Sequence, residues 1–277
     1  MTVDKRPTKK FLYLVQGKGR LPGSYSTIEG EQADLLCLSW KDKIDGAIYF
    51  PDSTWAEGRN KLLKEALKRN NQYLYYIFLD DDVVFEKGDW RTFEKYLLKY
   101  EPAAATPFCP WYPPNKDSSL EFEAHTCFMF DAMFNAFHRD VVTDGLVRPY
   151  YTGFDSKSWW YSQWFVIHLM NMFFPNHVLQ INEVWVNNAT HGAYPLSADF
   201  TEGRNWFETQ VLKPKSAPLL PFNLYERIMW RISRKILRYN PVVSPFRRPS
   251  RKLTSYHVPM RKRARQVDTK SPYWIKT

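Results

Sequence analysis

Tyr73-Leu74-Tyr75-Tyr76-Ile77-Phe78-Leu79-Asp80-Asp81-Asp82-Val83-Val84-Phe85 is the stretch whose reading decides the fold. Its first seven residues are aromatic, aliphatic and β-branched, the composition of a strand buried on both faces. Three consecutive carboxylates follow, Asp80, Asp81 and Asp82, with a second apolar run, 83–85, directly behind them. Like charges at the end of a buried strand repel one another and resist leaving water. A divalent cation relieves both difficulties. Carboxylate oxygens suit hard ions such as Mg²⁺ and Mn²⁺, which also grip phosphate oxygens. The plainer alternative is an acidic turn after a strand, where Asp is common. The apolar residues on both sides favour the metal site, because a solvated turn has no need of them.

Upstream, residues 11–16 form a short apolar strand that runs into Gly17-Lys18-Gly19-Arg20, a glycine turn. Residues 33–40 and 46–50 read as two further strands. Pro51-Asp52-Ser53-Thr54 then precedes a helical run over 61–69, with Ser53 or Thr54 as its cap and Glu57 near its first turn. Downstream, Trp90, Phe93, Tyr96, Leu97 and Tyr100 fall at helical spacing within 89–100. Residues 103–108 are another strand, ending in a proline-rich loop, and 121–138 hold one or two strands and a bend. Asp131, inside that aromatic run, reads equally as an acceptor contact or as a carboxylate bonded to backbone. A helix is expected over 156–173, a strand over 178–187, and no regular strand signal after Pro195. Strands alternating with helices predict an α/β sheet with ligands at the carboxyl ends of its strands.

The 277 residues are 44% hydrophobic and 17% aromatic, which supplies a substantial core and excludes global disorder. Cys37, Cys109 and Cys127 are odd in number and lack CxxC spacing, so they predict reduced thiols rather than a disulfide framework or a zinc site. The polar N-terminus has no signal-peptide apolar region, and the longest apolar run, 164–174, is broken by His168 and Asn171. A soluble, cytoplasmic protein is the expectation. The net charge of +10 is unevenly distributed: 227–277 carry 15 Lys+Arg against one Asp, whereas 1–226 carry 24 against 28 acids. Running into that basic segment, Leu224, Ile228, Ile232 and Ile236 form an apolar stripe surrounded by arginines. Such a helix docks on its own domain, lies on an anionic membrane surface or holds a partner.

Asp-any-Asp at the end of a central strand with apolar flanks resembles the metal motif of GT-A-fold, nucleotide-sugar-dependent glycosyltransferases. The resemblance extends in its order of elements over roughly residues 11–200. It implies a Rossmann-like three-layer α/β/α sandwich with a mixed, mostly parallel central sheet. The expected divisions are a flexible basic leader at 1–10, a transferase domain at 11–215 and a basic helix and tail at 216–277.

The same resemblance implies roles residue by residue. Gln16 and Gly17 line the nucleotide pocket, and Arg59, in the Gly58-Arg59-Asn60 element, reaches the nucleotide or its pyrophosphate. Asp82 with Asp80 or Asp81 holds Mn²⁺ or Mg²⁺, Asp80 alternatively reaching the ribose. His191, followed by Gly192, completes the metal's protein ligands, and imidazole suits Mn²⁺ better than Mg²⁺. Asp155, in Tyr150-Tyr151-Thr152-Gly153-Phe154-Asp155, is the base that deprotonates the acceptor hydroxyl. The family commonly has Glu-Asp where this chain has Phe-Asp, and a helix N-cap is the other reading of the residue. The implied donor is a nucleoside-diphosphate sugar, UDP first, the acceptor a glycan or glycoprotein hydroxyl, and the course inversion. An anchor-free chain with many aromatics and a basic tail is also similar to the capsid-glycan transferases encoded by chloroviruses.

Two other classes compete. Three aspartates would serve a Mg²⁺-dependent phosphoryl or nucleotidyl enzyme, but Gly23-Ser24 lies far upstream of where nucleotidyltransferases place their Gly-Ser turn. A nucleic-acid-binding role for the basic tail is opposed by the acidic main body and by the lack of a recognisable binding module.

Overall fold

The computed structural model describes residues 9–69, 73–110, 120, 122–127, 130–143, 150–173, 177–188 and 201–206. Its centre is a nine-stranded sheet. The strands are β1 (Phe11–Gly17), β2 (Ala33–Ser39), β3 (Ile48–Tyr49), β4 (Tyr75–Asp80), β5 (Val83–Lys87), β6 (Ala104–Phe108), β7 (Ala124–Thr126), β8 (Phe134–His138) and β9 (Val178–Asn188). They lie in the order β3-β2-β1-β4-β8-β6-β9-β5, with β7 also paired to β9. Six strands run one way; β5, β7 and β8 run against them.

The helices are α1 (Trp55–Leu67), α2 (Trp90–Tyr100), α3 (Arg139–Thr143), α4 (Trp160–Phe173) and α5 (Thr201–Trp206). Period-two alternation sends neighbouring residues of each central strand to opposite faces. Leu12, Leu14, Tyr76 and Phe78 join the core under α1 and α4. Phe11, Tyr13, Val15, Tyr75, Ile77 and Leu79 join the core under α2. Both faces are therefore covered, which is why β1 and β4 read as unbroken apolar runs. The α/β, Rossmann-like three-layer architecture with a mixed, mostly parallel sheet is the one expected.

Local differences have physical causes. Helix α1 begins at Trp55, six residues before the expected run, because Thr54 and Glu57 close a reciprocal capping box. Helix α4 begins at Trp160 rather than 156, since 153–157 turn back on themselves through bonds such as Ser158 N–H to Phe154 O, 2.9 Å. Asp155 is thus not the N-cap of that helix. Helix α2 is capped by Asp89, whose carboxylate accepts the Thr92 N–H.

The chain leaves β1 toward β2 and β3 and returns on the other side as β4. The crevice between the carboxyl ends of β1 and β4 is a topological switch point, where open α/β sheets bind their ligands. Gln16 and Asp80 face each other across that crevice in register.

Candidate active site

Asp80 ends β4, and Asp81 and Asp82 form the turn into β5. One oxygen of Asp80, Oδ1, takes Nη2 of Arg59 at 2.6 Å and the indole Nε1 of Trp55 at 3.4 Å. Among the described residues its Oδ2 takes no hydrogen bond. Burial pushes the Asp80 carboxyl up to about 7; Arg59 pulls it back, and the charges of Asp82 and Asp131 push it further up. A guanidinium keeps its proton at any working pH, so the pair favours a charged Asp80. The net push comes first from burial and then from the carboxylates crowded into one corner.

Arg59 itself is fully buried. Its guanidinium lies 4.5 Å over the Trp55 ring and 5.2 Å over Phe78, and Nη2 also donates to Ala132 O at 3.0 Å. The resemblance implies a place for it on the nucleotide or its pyrophosphate; in the structure it stands behind Asp80 and fixes the direction of that carboxylate.

Asp81 turns the other way. Its Oδ2 accepts the Lys18 N–H at 2.9 Å. A Cβ on Gly17 would stand 2.2 Å from that oxygen, so only glycine allows the carboxylate to lie there. Gln16 is buried next to Gly17, and its Oε1 has no partner among the described residues. Gly58 serves the same packing: a Cβ there would meet the Gln16 amide at 2.6 Å. Asn60 then brackets the Tyr150 backbone, donating to its carbonyl at 2.8 Å and accepting its N–H at 2.6 Å. Every residue of Gly58-Arg59-Asn60 is therefore used, although the sequence singled out only the arginine.

Asp155 lies on the far side of the α1 N-terminus. Its Oδ2 accepts the Thr54 hydroxyl and its Oδ1 the Ser162 hydroxyl at 3.3 Å. The same Thr54 oxygen accepts the Glu57 N–H at 3.2 Å as the helix cap. Asp155 is only 7% exposed. Burial raises its carboxyl to about 6, against the pull of the two hydroxyls and with a push from Glu57. Asp131 accepts the Met133 N–H at 2.9 Å, the backbone bond that was one of its two readings.

Several site residues left no signal in the sequence: Trp55, Ser162 and the second role of Thr54 depend on contacts across 25, 7 and 101 positions. His191 lies outside the described residues, as do the loop around it and the basic segment 216–277. Among the described residues no group of three or more His, Cys, Asp or Glu converges as a metal cluster. The donor chemistry nevertheless fits a hard divalent cation. Asp80 Oδ2 has no donor among the described residues, and the crowding of Asp80 by Asp82 and Asp131 is what a cation relieves. No helix among the described residues is long and apolar enough to cross a membrane.

No protein-family model matches the sequence, and no curated protein matches it. Solved structures do resemble it. S. aureus TarS residues 1–349 in complex with UDP-GlcNAc aligns over 82% of this chain and 73% of its own, at 9% identity and a TM-score of 0.52. A longer S. aureus TarS structure aligns over 81% of this chain but 43% of its own, at 10% identity and a TM-score of 0.54. At such identities the likeness concerns the fold.

Proposed function

We propose that this chain is a glycosyltransferase that moves a sugar from a nucleoside-diphosphate sugar, UDP-linked first, to a hydroxyl of a glycan or glycoprotein acceptor. One observation carries the reading: Gln16, Gly17 and the acidic turn meet at the β1/β4 switch point, and α1 ties that corner to a second buried carboxylate, Asp155. TarS, whose fold this chain shares, has been crystallised with UDP-GlcNAc, which supports the choice of donor.

In this reading Gln16 and Gly17 border the nucleoside, with the unspent Gln16 Oε1 as a recognition atom. Asp82 and Asp80 Oδ2, with His191, would hold Mn²⁺ or Mg²⁺. A bound ion would supply charge neutralisation on the departing diphosphate. Arg59 keeps Asp80 aimed at the crevice. Asp155 takes the proton of the acceptor hydroxyl, whose oxygen forms the new bond to the anomeric carbon as the bond to the diphosphate breaks on the opposite face. That course inverts the anomeric centre. Asp155 then returns its proton to solvent.

The test is thermal melting with UDP and UDP-GlcNAc, each with and without Mn²⁺. Saturating nucleotide plus Mn²⁺ is expected to raise the Tm by about 5–10 °C, the shift that occupancy near 100 times Kd gives a chain of this size. In Asp82→Ala the Mn²⁺-dependent part should vanish. Equal shifts with and without Mn²⁺, unaffected by Asp82→Ala, would remove the metal role; no shift with any nucleotide would overturn the donor assignment.

A further inference from the structure

We propose that Tyr25 is a positioning residue for the acidic turn: its hydroxyl braces the backbone that aims Asp82. The inference rests on the metal-site reading above and adds a residue that neither the motif nor the spacing indicates.

The turn needs an external brace. Strand β4 pairs with β1 and β8, and β5 pairs with β9 at the end of the strand order. The two arms that leave Asp81 and Asp82 therefore enter different parts of the sheet, and no hairpin ladder locks them together. Tyr25 stands across the opening. Its hydroxyl donates to Asp80 O at 2.7 Å, accepts the Val83 N–H at 3.0 Å, and lies 3.3 Å from Val83 O. Asp80 O and Val83 N–H are the first and fourth residues' groups of the turn, the pair a β-turn joins directly. Here a side chain from 55 positions upstream takes both.

The brace is itself rigid. Tyr25 is 1% exposed, in a 3-10 turn at Gly23–Thr27. Its ring meets Trp90 edge-on at 5.5 Å, and Trp90 meets Tyr13 in the same way at 5.6 Å. From the first turn of α2, Arg91 Nη2 grips Thr27 O at 3.0 Å and Ile28 O at 2.6 Å. A residue with this much fixation and both hydrogen-bonding capacities spent on one turn sets the geometry of that turn. The three acids are then held by three separate devices: Arg59 on the Asp80 carboxylate, Lys18 N–H on the Asp81 carboxylate, and Tyr25 on the backbone either side of Asp82.

The experiment compares the full chain with Tyr25→Phe, which deletes one oxygen and keeps the ring. UDP affinity is measured by calorimetry in EDTA and in saturating Mn²⁺. The expected result is a loss of roughly ten-fold or more in the Mn²⁺-dependent affinity, the usual cost of removing a group that orients a metal ligand, with metal-free UDP affinity held within about two-fold. Equal losses in both conditions, or no loss in either, would overturn the proposal. If the unsubstituted chain binds UDP equally with and without Mn²⁺, the metal-site reading fails and this inference with it. Should Tyr25→Phe not fold, the unsubstituted chain decides: hydrogen exchange at the Val83 amide should slow on loading with Mg²⁺ and UDP, and an unchanged rate would overturn the brace.

Discussion

Asp80 and Asp155 are both largely buried carboxylates tied to the first turns of α1, and they are held in opposite ways. Asp80 faces a guanidinium that cannot lose its proton, with two further acids nearby. Asp155 faces two hydroxyls and, among the described residues, no basic side chain. Arg59 pulls the Asp80 carboxyl toward its charged form, but burial and the neighbouring acids still hold it at about 7; a bound cation would complete that pull, which suits a metal ligand. Neutral donors around a buried carboxylate leave its protonation open to change near neutral pH, which suits a group that must accept and release a proton. One helix N-terminus thus supports two acids, both raised chiefly by burial, one opposed by a cation and the other by a pair of hydroxyls.

The sharpest break of this comparison is Asp155→Asn. Transfer should fall about 10²–10⁴-fold, the range expected on losing a general base, while UDP affinity stays unchanged. Full turnover in steady-state assays would place the base elsewhere. Next in size, Arg59→Ala strands a buried Asp80 and should cost about 3–5 kcal/mol of stability, read from urea melts. A loss below about 1 kcal/mol would mean the pair behaves like an exposed one.

The smallest effect concerns pH. Because the Asp155 carboxyl sits near 6 in the folded chain, kcat/KM for transfer should rise with pH through about 6 and level off above it. Ionising Asp155 disfavours the folded state. That penalty is absent below its ordinary value of 3.8, grows across the window up to about 6 and is complete above it. Thr54→Val removes a donor that favours the charged form, so the midpoint should move upward, with a loss of about 1 kcal/mol from the missing helix cap. A midpoint that stays put would show that the Thr54 hydroxyl does not tune this carboxylate.

Much of the scaffold was readable in advance. The strands around 11–16, 33–40, 103–108 and 178–187 appear within about two residues of where apolar runs and turn residues put them. Boundaries failed where a turn took over, as before α4. The candidate site was legible in part. The acidic turn and Gly17 announced themselves, since three adjacent acids after a buried strand and a glycine at a strand end each require an unusual environment. Arg59 was singled out for the nucleotide, and its bond to Asp80 had no signal in the sequence. Tyr25, Trp55 and Ser162 were not flagged at all, because a lone tyrosine, tryptophan or serine has the same appearance in a core, on a surface and in a site.

The sequence by itself determined which strands are buried on both faces, that Ser53 or Thr54 caps the helix before the acidic strand, and that three carboxylates emerge at the end of a central strand. Those follow from local forces: hydrophobic period, capping chemistry and the cost of burying charge. Only the tertiary structure decided that Arg59 backs Asp80, that Tyr25 closes the acidic turn, and that Asp155 accepts the Thr54 and Ser162 hydroxyls. Each of those depends on bringing together groups 21, 55 and 101 positions apart, and the energy of such a contact resides in the pair and its surroundings, where no single stretch of chain records it.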